Sequence, residues 1–256
     1  MKLSDGIEPF SDKWREIRNG RLTSSLIHKI FISGQGKDNL IGVGGMTYIN
    51  QKIGEILTGF NSDEITDDGD LPDDVVRGLA DEPWALERYS EITGEFVNSS
   101  LLFEYNAIAA GTTDGQKIDK KGNIIGILEV KCPRPHKHIK VCAVDAAIEL
   151  KKIDAQYYHQ TQANMLFTGA EHCDFVSYCD KIKTYDLQIR IVRVYPDLEW
   201  RKDFLNRIDW IASYMTEQIE KILKTPERNL SYRIEKKPEE IDNLKSAIDA
   251  IKEIAQ

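Results

Sequence analysis

Apolar and polar positions along the chain follow two different periods, which separate helical from extended segments. Apolar residues spaced by three and four predict helices over 46–57, 73–93, 143–168, 198–223 and 238–255. Runs rich in β-branched and aromatic residues predict strands over 101–113, 124–132, 174–179 and 185–195. Helices, then strands, then helices predict one α/β core, with a central mixed β-sheet flanked by helices.

The segments between these elements carry turn and capping signals. A turn is expected at Asn19-Gly20, followed by a helix from Thr23, whose start is marked by the hydroxyls of Thr23, Ser24 and Ser25. Residues 34–45 predict a glycine-rich mobile loop, and residues 61–74 an exposed acidic loop. Pro83 allows two interpretations of 73–93: the main helix begins at Pro83, or one longer helix is kinked there.

The last predicted helix carries a single apolar stripe. Ile241, Leu244, Ile248, Ile251 and Ala255 recur at spacings of three and four. We expect an extra C-terminal helix in an extension over 226–256, after a main domain over 1–225. The stripe suits one of three roles: packing on its own domain, contact between subunits, or binding of a partner. Packing on its own domain is the commonest outcome for such a helix.

Composition narrows the class of protein. The chain has 256 residues, 41% of them hydrophobic, and a net charge of −8, which favours a globular protein over one that simply coats nucleic acid. No apolar run is long enough to span a membrane, and residues 1–10 lack a secretory signal. Four irregularly spaced cysteines without such a signal indicate a reducing, cytoplasmic location.

Candidate chemistry lies on the predicted strand over 124–132. Glu129 and Lys131 share one face of it with apolar residues, where charges are costly unless paired or bound to an ion. If a hairpin pairs Asp114 with Ile127, Asp114 lies diagonal to Glu129 on that face, whereas a one-residue slip would place it on the other. Two carboxylates beside a lysine suit Mg²⁺-dependent phosphodiester hydrolysis, although a plain strand ion pair is the simpler alternative.

Two further polar residues occupy apolar helical stripes. Glu82 falls in the stripe Val75, Leu79, Leu86 and Tyr89, unless Pro83 breaks the period and leaves it an exposed acid. Gln160 lies on a partly apolar helix face. It either holds a metal-bound water or is an ordinary polar residue at the boundary of the core.

Several segments together resemble the lambda exonuclease or YqaJ-type viral recombinase family. They occur in the family's order: 14–25 (WREIRNGRLTSS), 82–85 (EPWA), 113–115 (TDG), 128–133 (LEVKCP) and 157–162 (YYHQTQ). The resemblance implies the PD-(D/E)xK, restriction-endonuclease-like fold. It also implies Mg²⁺-dependent digestion of duplex DNA from 5′ ends, leaving 3′ tails, with Mn²⁺ as a possible substitute. A phage or prophage origin follows from the same resemblance.

The resemblance also implies roles for individual residues. Asp114, Glu129 and the carbonyl of Val130 would bind metal, Lys131 would be the catalytic lysine, and Glu82 and Gln160 would lie at a second metal or its water. Arg18, Thr23 and Ser25 would bind the 5′ phosphate, which agrees with hydroxyls and an arginine near a helix start.

The chain departs from the family at two places. Thr112-Thr113 replace the usual Ser-Pro before the aspartate, and Leu86 replaces an arginine often found after the Glu-Pro segment. The resemblance alone implies a homo-oligomer, with a toroidal trimer as the family's form, and a single-strand annealing protein as partner.

Rival interpretations remain open from the sequence. An iron–sulfur nuclease would need the thiolates of Cys132, Cys142, Cys173 and Cys179 to converge. A zinc site would use His136, His138 and His159. A non-catalytic DNA-binding or inhibitor protein on the same scaffold is a third possibility.

Overall fold

A computed structural model of the chain describes residues 2–4, 7, 11–34, 40–60, 73–95, 97, 101–145, 147–224 and 238–254. Residues 35–39 of the first predicted loop and 61–72 of the second lie outside these residues, as does the predicted domain boundary near residue 225. The first loop is shorter than predicted, because a helix already begins at Val43. None of the described helices is both long and apolar enough to cross a membrane.

The helices and strands appear in an order close to the predicted one. Among the described residues, the α-helices are α1 (Asp12–Arg18), α2 (Val43–Thr58), α3 (Asp73–Thr93), α4 (Pro135–Cys142), α5 (Ala147–Ile153), α6 (Ala155–Thr168), α7 (Leu198–Lys224) and α8 (Pro238–Lys252). The strands are β1 (Lys2–Ser4), β2 (Leu22–Thr23), β3 (Leu101–Asn106), β4 (Ala109–Thr113), β5 (Gly115–Ile118), β6 (Ile124–Lys131), β7 (His172–Tyr178) and β8 (Ile189–Val194).

The described strands form two mixed four-stranded sheets. The first has the order β1-β3-β4-β2 and the second β5-β6-β7-β8. In the second sheet β6 runs parallel to β7 and antiparallel to β5. Helix α6 contacts strands of both sheets, while α3 packs against β6, β7 and β8. This layered α/β arrangement confirms the predicted fold class.

The predicted hairpin was wrong in its detail. The segment over 101–113 is itself a hairpin of β3 and β4, and β5 lies in the stretch between the two predicted strands. Gln116 pairs with Ile127, and Gly115 with Leu128, so the proposed pairing of Asp114 with Ile127 does not occur. Continuing this register places Asp114 opposite Glu129. Since the two registers differ by two residues, Asp114 keeps the predicted face.

Other segments differ from their predictions for local reasons. The helix expected from Thr23 is a 3-10 helix, Ser24–Phe31, and Thr23 precedes it without a side-chain capping bond. Ser24, Ile27 and Ile30 are its buried residues, and their spacing of three matches one face of a 3-10 helix. The helix predicted over 143–168 is divided into α5 and α6 at Asp154, which caps α6 by accepting a hydrogen bond from the Tyr157 amide. The strand predicted from residue 185 begins only at Ile189, after a 3-10 turn over Tyr185–Leu187.

The two alternatives left open for the helices are resolved. Helix α3 is one helix with Pro83 inside it. Helix α8 packs against α7 and α2, and its Ile248 and Ile251 belong to the main hydrophobic core. The apolar stripe is therefore covered by this chain in its described part, while the side chains of Ile241 and Leu244 lie outside it.

Candidate active site

A cleft of about 320 Å³ opens between α3, the end of β6 and the start of α4. Glu82, Asp114, Val130 and Lys131 line this cleft. Four of the residues singled out from the sequence therefore meet in one place. Three cationic side chains and one aromatic that the sequence did not single out also line it: Arg77, Arg134, Lys137 and Tyr157.

Glu129 lies behind the cleft and is fully buried. Its Oε1 is 2.5 Å from the Lys131 ammonium, and its Oε2 accepts a hydrogen bond of 2.9 Å from the side-chain amide of Asn164. Both oxygens therefore have a fixed neighbour. The predicted Glu129–Lys131 ion pair is present. Because Lys131 also lines the cleft, the buried acid lies one side chain away from the cleft surface.

Asp114 occupies the junction of the two sheets. It follows β4 directly and precedes β5, and its amide donates to the Leu128 carbonyl. Its Oδ2 accepts a 2.6 Å hydrogen bond from the amide of Val130. The carboxylate is thus tied to the backbone between Glu129 and Lys131, which keeps the three groups together.

Burial and neighbouring charges shift the pKa values of the groups in the site. Burial, and then the charge of Asp114, raises the pKa of Glu82 to about 7 against the opposing effect of Lys131. Burial also raises the pKa of Glu129 to about 8, with Lys131 opposing and Asp114 adding to the shift. Burial disfavours the Lys131 ammonium, but Glu129 and Asp114 outweigh it and raise the pKa of that amine. The site therefore disfavours three ionised carboxylates beside a single lysine.

Helix α3 brings Glu82 to the cleft through the stripe seen in the sequence. Tyr89 packs in a small core against the second sheet, with Leu86 beside it, while Val75 and Leu79 are exposed and line the cleft. Glu82 lies where the stripe passes from core to cleft, so an acid is accommodated there without full burial.

One face of α6 points toward the acids. Tyr157 lines the cleft and Asn164 contacts Glu129. Gln160 lies between them, three residues after Tyr157 and four before Asn164, so the three share one helical face. Gln160 is 6% exposed and is not among the residues that line the cleft.

The residues assigned to a 5′ phosphate lie around β2. Thr23 is buried, and its hydroxyl is 3.3 Å from that of Ser25 and 3.2 Å from that of Tyr48. Arg18 ends α1 with its guanidinium 4.1 Å from the Trp14 ring centroid. Tyr48 was missed, since nothing near it in the sequence marks it as part of a hydroxyl cluster.

The rival cofactor sites do not assemble. Cys173 and Cys179 lie at opposite ends of β7, about 20 Å apart at the rise of a strand, so they cannot meet on one cluster. His138 is held by Ser177 and the Leu187 carbonyl, and His159 by Trp200. His136 and His138 lie on helix α4.

The donor set near the cleft suits a hard divalent cation. Carboxylates and a backbone carbonyl are the oxygen ligands such cations take, and the mutual repulsion of the acids would be relieved by added positive charge. Among the described residues, no three His, Cys, Asp or Glu side chains converge as a ready-made metal site. Glu82, Asp114, Glu129 and Val130 are the residues that would hold it.

Comparisons with known proteins bear on the family and the fold of the chain. Residues 13–171 match the YqaJ-like viral recombinase domain. An alkaline exonuclease (LHK-Exo) from Laribacter hongkongensis is similar over 84% of this chain and 97% of its own, with 25% identity and a TM-score of 0.67. Its complex with dAMP matches 83% of this chain and 96% of its own, at 27% identity and a TM-score of 0.66.

A phage-related exonuclease from Haemophilus somnus 129PT covers 79% of this chain and 96% of its own. At 16% identity and a TM-score of 0.61 it supports the fold alone. No curated protein matches the chain. Because the family match spans more than half of the sequence and includes Asp114, Glu129 and Lys131, the chain belongs to the YqaJ-like viral recombinase family, whose fold it shares with alkaline exonucleases.

Proposed function

We propose that the protein is a Mg²⁺-dependent exonuclease that digests linear double-stranded DNA from its 5′ ends and leaves 3′ single-stranded tails for recombination. The observation that carries the proposal is the cleft, where Glu82, Asp114 and Lys131 face one another beside three further cations. The dAMP complex of the related exonuclease supports a deoxynucleotide substrate.

The cations of the cleft would bring the DNA backbone to the acids. Arg134 and Lys137 are exposed at the start of α4, and Arg77 lines the same cleft from α3. Positive side chains attract phosphates without regard to sequence. This local charge offsets the net negative charge of the chain, which would otherwise repel DNA.

The 5′ end would be held at a separate place. Arg18, Thr23 and Ser25 offer a guanidinium and two hydroxyls, a donor set suited to a terminal phosphate. The contact of Thr23 with both Ser25 and Tyr48 holds these hydroxyls in place before DNA binds.

At the scissile phosphate, Lys131 would hold the attacking water and offset the negative charge that develops. Gln160 would help to orient that water from α6. When bound, Mg²⁺, in one or two ions, would polarise the phosphoryl group and lower the pKa of the water. Homo-oligomer formation and an annealing protein as partner stay predictions from the family resemblance.

The direction of digestion is tested with one linear duplex labelled at either end of the same strand. With Mg²⁺, the 5′ label should be released first as small products, while the 3′ label stays in shortening strands. A duplex with 5′-hydroxyl ends should be digested more slowly than one with 5′ phosphates. Early release of the 3′ label would contradict the proposed polarity, and equal rates on both ends would contradict the phosphate site.

Catalysis itself is tested with Lys131→Met, which removes the ammonium but keeps most of the side chain's volume. We expect a loss of activity of about 100-fold or more, in line with the removal of one charge-stabilising group. Lys140→Met, an exposed position on α4 outside the cleft, is the control and should keep full activity. If the wild-type protein leaves linear duplex intact in Mg²⁺ and Mn²⁺, and Lys131→Met binds DNA equally well, the protein is a non-catalytic DNA-binding protein.

A further inference from the structure

Asn164 is a buried amide that contacts both strands carrying the acids. It lies on α6 with 1% of its surface exposed. Its Nδ2 donates to Glu129 Oε2 at 2.9 Å and to the Thr112 carbonyl at 3.1 Å. Thr112 is on β4, two residues before Asp114, and Glu129 is on β6. One side chain therefore connects the helix to the supports of both carboxylates.

The orientation of this amide is fixed by its acceptors. The Thr112 carbonyl and the ionised Glu129 carboxylate, paired with Lys131, both accept from Nδ2. Turning the amide around would therefore place Oδ1 against two acceptor oxygens. The space around it is also closed. At Gly111, a Cβ atom would lie 2.7 Å from Asn164 Oδ1 and 3.0 Å from the Ser24 hydroxyl oxygen. Asn164 is therefore held in one orientation by its hydrogen bonds to β4 and β6 and by the close approach of Gly111.

This arrangement determines the plane of the Glu129 carboxylate. Lys131 holds Oε1 and Asn164 holds Oε2, so the group cannot rotate toward either neighbour. Without Asn164, Oε2 would be a buried acceptor with no donor, and the carboxylate would turn toward Lys131 to recover a partner. The bond to Thr112 at the same time fixes the end of β4 relative to β6, and with it the separation of Asp114 from Glu129.

We infer that Asn164 is a positioning residue that orients Glu129 and sets its distance from Asp114, so that the two acids bind a divalent cation together. The inference rests on the proposed function. A group that hydrogen-bonds a metal ligand from behind acts on the geometry of the ligand, and not on the DNA. Loss of Asn164 should therefore weaken cation binding and turnover while leaving DNA binding unchanged.

The test uses the full chain with Asn164→Leu, which fills a similar space but has no donor. We expect calorimetric Ca²⁺ affinity to fall about 10- to 100-fold and kcat with Mg²⁺ to fall similarly, as for other groups that support a metal ligand. The KM for linear duplex should stay within about twofold of wild type, because no DNA contact is removed. Asn164→Ser, a smaller change at the same position, carries the same expectation and covers the case in which the leucine variant does not fold.

Gln162 provides the matched control on the same helix. It is also buried, and it donates to the Tyr195 carbonyl and accepts from the Asp197 amide, so both of its hydrogen bonds lead away from the acids. Gln162→Met should keep wild-type Ca²⁺ affinity and kcat. Equal losses in both variants would mean that any buried amide of α6 has the same effect, and would overturn the inference. Unchanged Ca²⁺ affinity and kcat in Asn164→Leu would overturn it as well. A wild-type protein that neither binds Ca²⁺ nor degrades DNA would overturn the proposed function itself.

Discussion

At the scale of single residues, the acids of the cleft are held in place by neighbours that are neither acidic nor catalytic. Asp114 depends on the amide of Val130, and Glu129 on Lys131 and Asn164. Gly111 makes one of these contacts possible, because it leaves the space into which the Asn164 side chain fits. Small residues next to the site therefore matter as much as the charged ones that line it.

Gly111 should not tolerate a methyl group. In Gly111→Ala, the new Cβ would lie 2.7 Å from Asn164 Oδ1, which is closer than real Cβ contacts allow. It would also lie 3.0 Å from Phe167 Cδ2, which is tighter than most real contacts. We expect the free energy of unfolding to fall by about 1–3 kcal/mol, the usual cost of overpacking a core. Urea unfolding followed by circular dichroism measures it.

Gly54 is the matched control for this substitution. It lies inside α2, and a Cβ there would meet nothing within 4 Å. Gly54→Ala should stabilise the protein by about 0.5–1 kcal/mol, because alanine loses less backbone entropy in a helix. A Gly111→Ala variant as stable as wild type would contradict the prediction and show that β4 can shift to make room for the methyl group.

The acids of the candidate site could be predicted from the sequence, but the residues that hold them in place could not. Glu129 and Lys131 interrupt an apolar strand, and Glu82 interrupts an apolar helical stripe, so each is conspicuous among its own neighbours. Asn164 is one of several polar residues on α6, and its partner Glu129 is 35 residues away in the sequence. A role created by a distant contact leaves no local pattern.

At the scale of elements, strand β5 was missed for the same reason, because its stabilising contacts are distant in the sequence. Its Gln116 and Lys117 are polar and suggest a loop, yet both are buried. Gln116 donates to Thr113, and Lys117 is 2.6 Å from Asp174 on β7, a pair 57 residues apart. Long helices with an apolar stripe were predicted well because their period repeats, whereas a four-residue strand with satisfied polar groups gives no such signal.

Helix α2 stabilises the turn that separates Arg18 from Thr23. Lys52 and Glu55 form a fully buried pair with distances of 3.0 and 3.1 Å, and Glu55 Oε2 accepts a 2.9 Å hydrogen bond from the Gly20 amide. Gly20 has a φ of +72°, which favours glycine. The buried ion pair therefore holds the backbone of the proposed phosphate site from behind.

Breaking this pair should be costly. Lys52→Met leaves the Glu55 carboxylate without its ammonium, and we expect the free energy of unfolding to fall by about 3–5 kcal/mol. Lys52→Met combined with Glu55→Gln removes both charges and keeps a hydrogen-bond acceptor for Gly20, so it should recover part of that loss. Urea denaturation of the two variants measures the difference.

An exposed pair with the same spacing serves as the control. Lys13 and Glu16 are three residues apart on α1, 2.9 Å from each other, with side chains 60% and 69% exposed. Lys13→Met should change stability by only about 0–1 kcal/mol, since solvent already screens this pair. If the double variant at Lys52 and Glu55 were no more stable than Lys52→Met alone, the buried charge would not be the cause.

At the scale of the whole molecule, a buried aromatic group joins the 3-10 helix, α6 and α7. His159 accepts a 2.7 Å hydrogen bond from the Trp200 indole, and its ring centroid is 4.3 Å from that of Phe31. Accepting on Nδ1 requires that this nitrogen carries no proton. The packing of three elements therefore depends on a neutral histidine.

This dependence predicts how stability changes with pH. Burial, followed by the charge of Lys151, lowers the pKa of His159 to about 4, whereas an unfolded histidine titrates near ~6.5. Between these values the unfolded chain binds the extra proton, so the contribution of His159 is complete above about pH 6.5 and falls as the pH drops toward 4. The loss amounts to about 3 kcal/mol at most, at 1.36 kcal/mol per pKa unit.

His159→Gln separates this effect from general acid sensitivity, because glutamine can accept from Trp200 but does not titrate. Urea unfolding at pH 7.5 and 4.5 should show that the variant loses about 2–3 kcal/mol less than wild type between these conditions. Burial also lowers the pKa of His28 and His172 and raises the pKa of Glu82 and Glu129. These groups are present in both proteins, so their effects cancel when the variant is compared with the wild type. His136→Gln, at an exposed position on α4, should follow the wild type. If His159→Gln loses as much stability as wild type, the fold does not depend on a neutral residue at this position, and the acid sensitivity arises from other groups.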